Sequence, residues 1–130
     1  MKFSLVVYSA PYSTQASSTA LHFAKAALAG GHDIYRIFFF QDGVLNATAL
    51  AVPPQDEVDI PQAWQELTRQ HGIDSVVCVA SALKRGILDD DEANRYDKKH
   101  SSMASEFSLG GLGQLIDASL HSDRLLCFGA

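Results

Sequence analysis

Short apolar runs alternate with stretches of helical periodicity along this 130-residue chain. Residues 3–8 form an apolar-rich run, which predicts a first strand. Pro11 ends it, and Ser13 or Thr14 is placed to cap a helix. Ala16, Ala20, Phe23, Ala24, Ala27 and Leu28 then recur at helical spacing, until Gly30 and Gly31 stop the helix. Residues 34–40 are apolar almost throughout, as expected of a strand buried on both faces.

Residues 41–55 read as a loop, marked by Asp42-Gly43 and Pro53-Pro54. A second helix opens with Asp59 as N-cap, Pro61 at the first helical position and Gln62 completing a capping-box-like pattern. Ala63, Trp64 and Leu67 give it an apolar side, and Gly72 ends it. Residues 75–80 read as a third strand with Cys78 near its end. A helical turn over 82–86 and a short helix over 89–95 follow. The acidic residues of that short helix sit at its favourable N-terminal end. Residues 96–108 are polar and carry no clear period. Leu112, Leu115, Ile116 and Leu120 mark a last helix, and residues 125–128 a last strand. Four strands are readable, with room for a short fifth inside a loop.

This alternation predicts one domain over residues 1–130, with helices covering a mainly parallel sheet in an α/β fold. In such sheets chemistry gathers at the carboxyl ends of the strands, and Cys78 sits near one. Hydrophobic residues make up 47% of the chain, enough for a core that needs no disulfide or metal. The formal net charge of -5 makes direct nucleic-acid binding a poor expectation, because phosphates require clustered Lys and Arg. No apolar run approaches the roughly 20 residues of a membrane helix. The N-terminal apolar stretch is shorter than the ~7–15 residues of a signal-peptide core. Cytoplasmic localisation, with both thiols reduced, is therefore expected.

The two cysteines, Cys78 and Cys127, differ in setting. A thiol attacks as its thiolate. A helical turn after Cys78, with Lys84 and Arg85 close in sequence, offers positive potential for that form. The flanking Val76, Val77 and Val79 equally suit a small hydrophobe inside a buried strand. Cys127, between Leu126 and Phe128, reads as buried. The five histidines are scattered and form no zinc pattern, so no metal or other cofactor is expected. Asp89-Asp90-Asp91-Glu92 lacks the spacing of a calcium loop. Gly110-Gly111-Leu112-Gly113 fits no phosphate-binding motif and reads as a tight lead-in to the last helix.

Taken in order, several segments resemble the DsrE/TusD family. They are Ala10-Pro11-Tyr12 through Gln15-Ala16-Ser17, Phe23-Ala24-Lys25-Ala26, Gly31-His32, and Phe38-Phe39-Phe40-Gln41-Asp42-Gly43-Val44. Val77-Cys78-Val79-Ala80 with Lys84-Arg85-Gly86, and Gly111-Leu112-Gly113-Gln114-Leu115 with Asp123-Arg124, complete the set. The resemblance implies a three-layer α/β/α fold and a sulfurtransferase subunit that carries sulfane sulfur as a persulfide on Cys78. It also implies sister subunits in a heterohexamer, an upstream sulfur-donor protein and a downstream acceptor. Members of the TusD branch feed 2-thiolation of the tRNA wobble uridine; members of the DsrE branch traffic sulfur in sulfur oxidation. Lys84 and Arg85 are expected to stabilise the anionic sulfur. The rival expectations are a structural subunit with an inert thiol and a small-ligand or nucleotide-binding module.

Overall fold

A computed structural model describes residues 1–129. The elements run β1 (Lys2–Val7), α1 (Ala16–Ala29), β2 (Asp33–Phe39), a 3-10 helix (Gln41–Ala47), α2 (Ile60–His71) and β3 (Asp74–Cys78). Then come α3 (Val79–Leu83), α4 (Asp90–Arg95), β4 (Ser108–Gly110), α5 (Leu112–His121) and β5 (Arg124–Phe128). The five strands form one sheet in the order β4-β3-β2-β1-β5, every neighbouring pair parallel. The α/β architecture expected from the alternation is what the chain adopts.

Alternation along the strands assigns the two faces. On one face Phe3 meets Phe23 of α1 edge-on at 5.2 Å, and Phe39 meets Trp64 of α2 at 5.3 Å. On the other, Arg36 and Tyr35 bind Asp117 of α5. Leu5, Val7, Ile37, Phe39 and Val77 fill the first interface, while Val6, Phe38 and Val76 lie on the α5 side; all are buried.

A buried polar chain locks the first interface together. Trp64 Nε1 donates to Ser17 Oγ (3.1 Å), and Ser17 Oγ donates to Asn46 Oδ1 (2.6 Å). Asn46 Nδ2 donates to the carbonyls of Ser9 and Gly43, both at 2.9 Å. With its donors and acceptors met, this chain carries little of the penalty of buried polar groups. It fixes the β1–α1 loop and the 3-10 helix at the carboxyl end of the sheet.

The structure revises several sequence expectations. The predicted loop over 41–55 begins as a 3-10 helix whose Val44 and Ala47 are fully buried. Gly43 permits this, because a Cβ there would lie 1.9 Å from the Val7 carbonyl oxygen. The third strand ends at Cys78, and Val79 and Ala80 already belong to α3, which starts three residues before the predicted turn. The valines that extend the strand pattern thus span a strand-to-helix junction. Gly86, at φ 77°, closes the segment. Asp59 Oδ1 accepts from Gln62 N at 3.1 Å, as a cap should, and Pro61 takes the second helical position rather than the first. The fifth strand lies at 108–110, at the end of the stretch without a period.

One burial expectation reverses at the β5 side, and the apolar stripe of α5 divides between two faces. Cys127 is exposed rather than buried, because β5 is an edge strand with no neighbour beyond it among the described residues. On α5, Leu112, Ile116 and Leu120 face outward, at 52%, 61% and 74% exposure, and Leu115 and Ala118 turn toward the sheet.

Candidate functional site

Cys78 is the last residue of β3 and the N-cap of α3, with extended backbone angles of φ -60° and ψ 117°. A parallel strand ending directly in a helix delivers its final side chain to the carboxyl edge of the sheet. Cys78 pairs with Gly110 of β4 and lies on the α5 face, next in alternation to Val76. Its residue surface is only 3% exposed. Gly110 crowds this corner: a Cβ there would meet Gln114 Oε1 at 1.7 Å and Val76 Cγ1 at 2.7 Å. Gln114 Oε1 instead accepts from the Gly111 N–H at 3.1 Å, anchoring the start of α5 beside β4.

The turn after Cys78 is clamped to the 3-10 helix. Ser81 Oγ accepts from the Gln41 N–H at 3.1 Å. Arg85 Nε donates to Asp42 Oδ1 at 2.8 Å, and its Nη1 donates to the Ser81 carbonyl at 3.1 Å. Gln41 carries a left-handed backbone at φ 51°, an uncommon conformation for a residue with a side chain. Strain of this kind persists where the surroundings hold it, and here Ser81 supplies part of the hold. Asp42, Ser81 and Gln41 were not singled out from sequence. Asp42 stood as a turn marker and within a family-like segment, and nothing in the pattern paired it with Arg85, 43 residues on.

The two basic residues expected beside the thiol therefore have different situations. The Arg85 guanidinium is held by Asp42 and the Ser81 carbonyl. Lys84, at the end of α3, is exposed and makes no ion pair among the described residues.

Cys127 lies on the same sheet face as Cys78, because it pairs with Val6. Two strands, β2 and β1, separate β5 from β3. Three strand spacings amount to about 14 Å or more, far beyond the reach of a disulfide. Beside Cys127 stands Tyr8, whose phenol is pushed above its usual range by burial and then by the neighbouring thiol. All five histidines are exposed. Among the described residues no group of His, Cys, Asp and Glu is arranged to hold a metal ion, and no helix is long and apolar enough to cross a membrane.

Known proteins match this chain over nearly its whole length. A sulfurtransferase TusD homologue from Pseudomonas aeruginosa is 50% identical over 129 residues, covering 99% of this chain and 98% of its own. The DsrE protein of Allochromatium vinosum, provisionally named a sulfurtransferase, is also 50% identical, covering 99% of each chain. Among solved structures, the YchN protein of E. coli superposes with a TM-score of 0.79 at 22% identity, over 98% of this chain and 99% of its own. A Bacteroides thetaiotaomicron protein of unknown function gives 0.59 at 12% identity, over 97% and 94%. These two likenesses concern the fold. Residues 1–128 match the DsrE/DsrF-like family, and the chain belongs to that family.

Proposed function

We propose that this protein is a sulfur-relay sulfurtransferase whose Cys78 carries sulfane sulfur as a persulfide. The observation that carries the reading is the position of Cys78 at the strand-to-helix junction of β3, in a chain 50% identical to named sulfurtransferases. The Cys78 thiolate attacks the outer sulfur of a persulfide on a donor protein. The donor's S–S bond breaks, and its inner sulfur leaves as a thiolate. An acceptor thiolate then attacks the outer sulfur of the Cys78 persulfide, and Cys78 leaves as the thiolate that began the cycle. Each step is an exchange at sulfur governed by ionisation, leaving group and access. Access is the restrictive term, since Cys78 is 3% exposed. Docking of the partner must therefore uncover it.

Lys84 and Arg85 favour the anionic sulfur, Lys84 by an uncompensated charge and Arg85 with a charge partly offset by Asp42. Sister subunits complete a heterohexamer. The outward stripe of Leu112, Ile116 and Leu120 supports association, because contiguous exposed apolar surface marks interaction sites. Leu50 and Val52, at the end of the 41–55 segment, are also exposed. The destination proposed is 2-thiolation of tRNA wobble uridine in the cytoplasm, with the RNA held by another protein, because a chain of net charge -5 is ill suited to phosphates. Identity to the TusD homologue and to the DsrE protein is the same, so sulfur-oxidation trafficking stands as the second reading.

Intact mass after incubation with a sulfane donor tests the carrier role. A gain of one sulfur, reversed by a reductant and absent in Cys78→Ser, supports it. No gain in the assembled complex makes the chain a structural subunit instead. Loss of 2-thiouridine on deletion of the gene selects the tRNA branch, and unchanged 2-thiouridine selects the sulfur-oxidation branch.

A further inference from the structure

Two hollows beside α4 carry opposite charge. One, of about 780 Å³, is lined by Asp89, Asp90, Asp91 and Glu92 among others. The second, of about 660 Å³, is walled by Leu83, Lys84, Gly86, Leu88, Tyr96 and Lys98. Lys84 and Lys98 are both exposed, and neither ammonium makes an ion pair or hydrogen bond among the described residues. Asp97 lies between Tyr96 and Lys98 in sequence but does not line the hollow. One wall is pinned. Ser102 Oγ donates to the Gly86 carbonyl (2.6 Å) and accepts from the Leu88 N–H (3.0 Å). The Leu88 carbonyl accepts from the N–H groups of Ser102 and Met103.

We propose that this basic hollow is the docking site for an acidic segment of the protein that exchanges sulfur with Cys78; the proposal rests on the carrier role argued above. Its position supports this. Lys84 follows Cys78 by six residues through α3, so it stands about 9 Å away along a helical path. Charge supports it as well. The chain is acidic overall, so its surface repels an acidic partner in general and attracts it where unpaired lysines gather. Such local complementarity orients an encounter as well as strengthening it. Size and lining choose the occupant. The volume falls in the range that holds peptide-sized or drug-sized ligands rather than a single inorganic anion. Two leucines and the half-exposed Tyr96 ring add apolar contact for side chains flanking an acid.

The test uses the full-length Cys127→Ser protein with sulfur loaded on Cys78. Two synthetic thiol peptides of equal length serve as acceptors, their single cysteine flanked by Glu in one and by Gln in the other. The expected result is transfer to the Glu peptide faster by about tenfold at low salt, the sum of two modest surface charge interactions. That advantage shrinks as salt is added. It falls in Lys98→Gln, disappears in Lys84→Gln with Lys98→Gln, and survives in Lys25→Gln, whose exposed lysine lies on α1. Equal rates for the two peptides, or an advantage that persists in the double variant, overturn the proposal. So does thiosulfate abolishing the advantage at the same concentration as the Glu peptide itself, which assigns the hollow to a small anion. If Cys78 takes up no sulfur, the carrier role fails separately, and the same peptides with Ser in place of Cys are titrated calorimetrically. Tighter binding of the Glu peptide that the double variant loses keeps the acidic-segment surface, and equal binding removes it.

Discussion

At the amino ends of the strands, Arg36 ties β2 to β3 and α5 at once, whereas at the carboxyl ends one solvent-facing ion pair and two hydrogen bonds at Ser81 hold the turn that follows Cys78. The Arg36 side chain is 11% exposed and meets Asp74 at 2.7 Å and Asp117 at 2.9 Å, and it donates to the Gln114 carbonyl at 2.8 Å. The Tyr35 hydroxyl donates to Asp117, and the Tyr35 ring stacks on His121. At the other end, Arg85 and Asp42 are 28% and 65% exposed. Covered, multiply hydrogen-bonded pairs hold geometry; exposed single pairs contribute little. The contrast teaches where this fold keeps its rigidity. The closed end fastens a helix to the sheet. Outside the buried Asn46 chain, the open end leaves a covered thiol, a strained Gln41 and a basic hollow around a turn with few strong ties, which suits a site that a partner must open.

The comparison can be broken by substitution. Gly43→Ala drives a methyl group into the Val7 carbonyl, so a loss of about 3 kcal/mol or more is expected in urea unfolding. That would mark the backbone seam under the 3-10 helix, rather than the Arg85 pair, as what secures the open end. Arg36→Met removes three charge-assisted bonds and should cost about 2 kcal/mol. A loss no larger than that of Asp42→Asn would erase the distinction between the ends. Asp42→Asn, at an exposed pair, should cost under about 1 kcal/mol while raising the alkylation rate of Cys78 as the turn loosens. An unchanged rate would remove the clamp from the account. Ile116→Lys, on the outward face of α5, should leave monomer stability within about 0.5 kcal/mol. Its expected effect is a smaller assembly in size-exclusion chromatography.

Acid sharpens the comparison from the closed end. The hydrogen bond from Tyr35 holds the Asp117 carboxyl below the usual carboxylate range, assisted by Arg36 and His121 and opposed by burial. A lowered folded-state pKa contributes stability that is present above the ordinary carboxylate pKa and is lost as pH falls through the lowered value. The Tm of the wild type should therefore fall more steeply than that of Asp117→Asn below about pH 4. Parallel curves would take Asp117 out of the closed end. Tyr35 acts at the opposite extreme. Its phenol is raised by the hydrogen bond to Asp117, so its contribution is intact below the ordinary tyrosine pKa and is lost as pH rises through the raised value.

Alternating runs made the α/β layout legible, and the position of Cys78 at a strand end followed from it. The end of β3 did not, because Val79 continues a β-branched run while its backbone has already turned helical. Asn46, wholly buried and bonded to Ser17, Ser9 and Gly43, left no local signal, since its partners are brought to it only by the fold. Cys127 misled because an apolar edge strand and an apolar central strand share the same local pattern. The apolar residues of α5 marked the helix, but their spacing defines a stripe without saying whether this chain or another covers it. Lys84 and Arg85 were visible as a pair, and only the fold separates the one bound to Asp42 from the one that lines a hollow.

Peptide mapping of the wild-type protein after a single turnover with a sulfane donor, with both thiols present, tests the central claim most directly. The account predicts the added sulfur on the peptide holding Cys78 and an unmodified Cys127, although Cys127 is the exposed thiol. Sulfur found on Cys127 with Cys78 unmodified would contradict it.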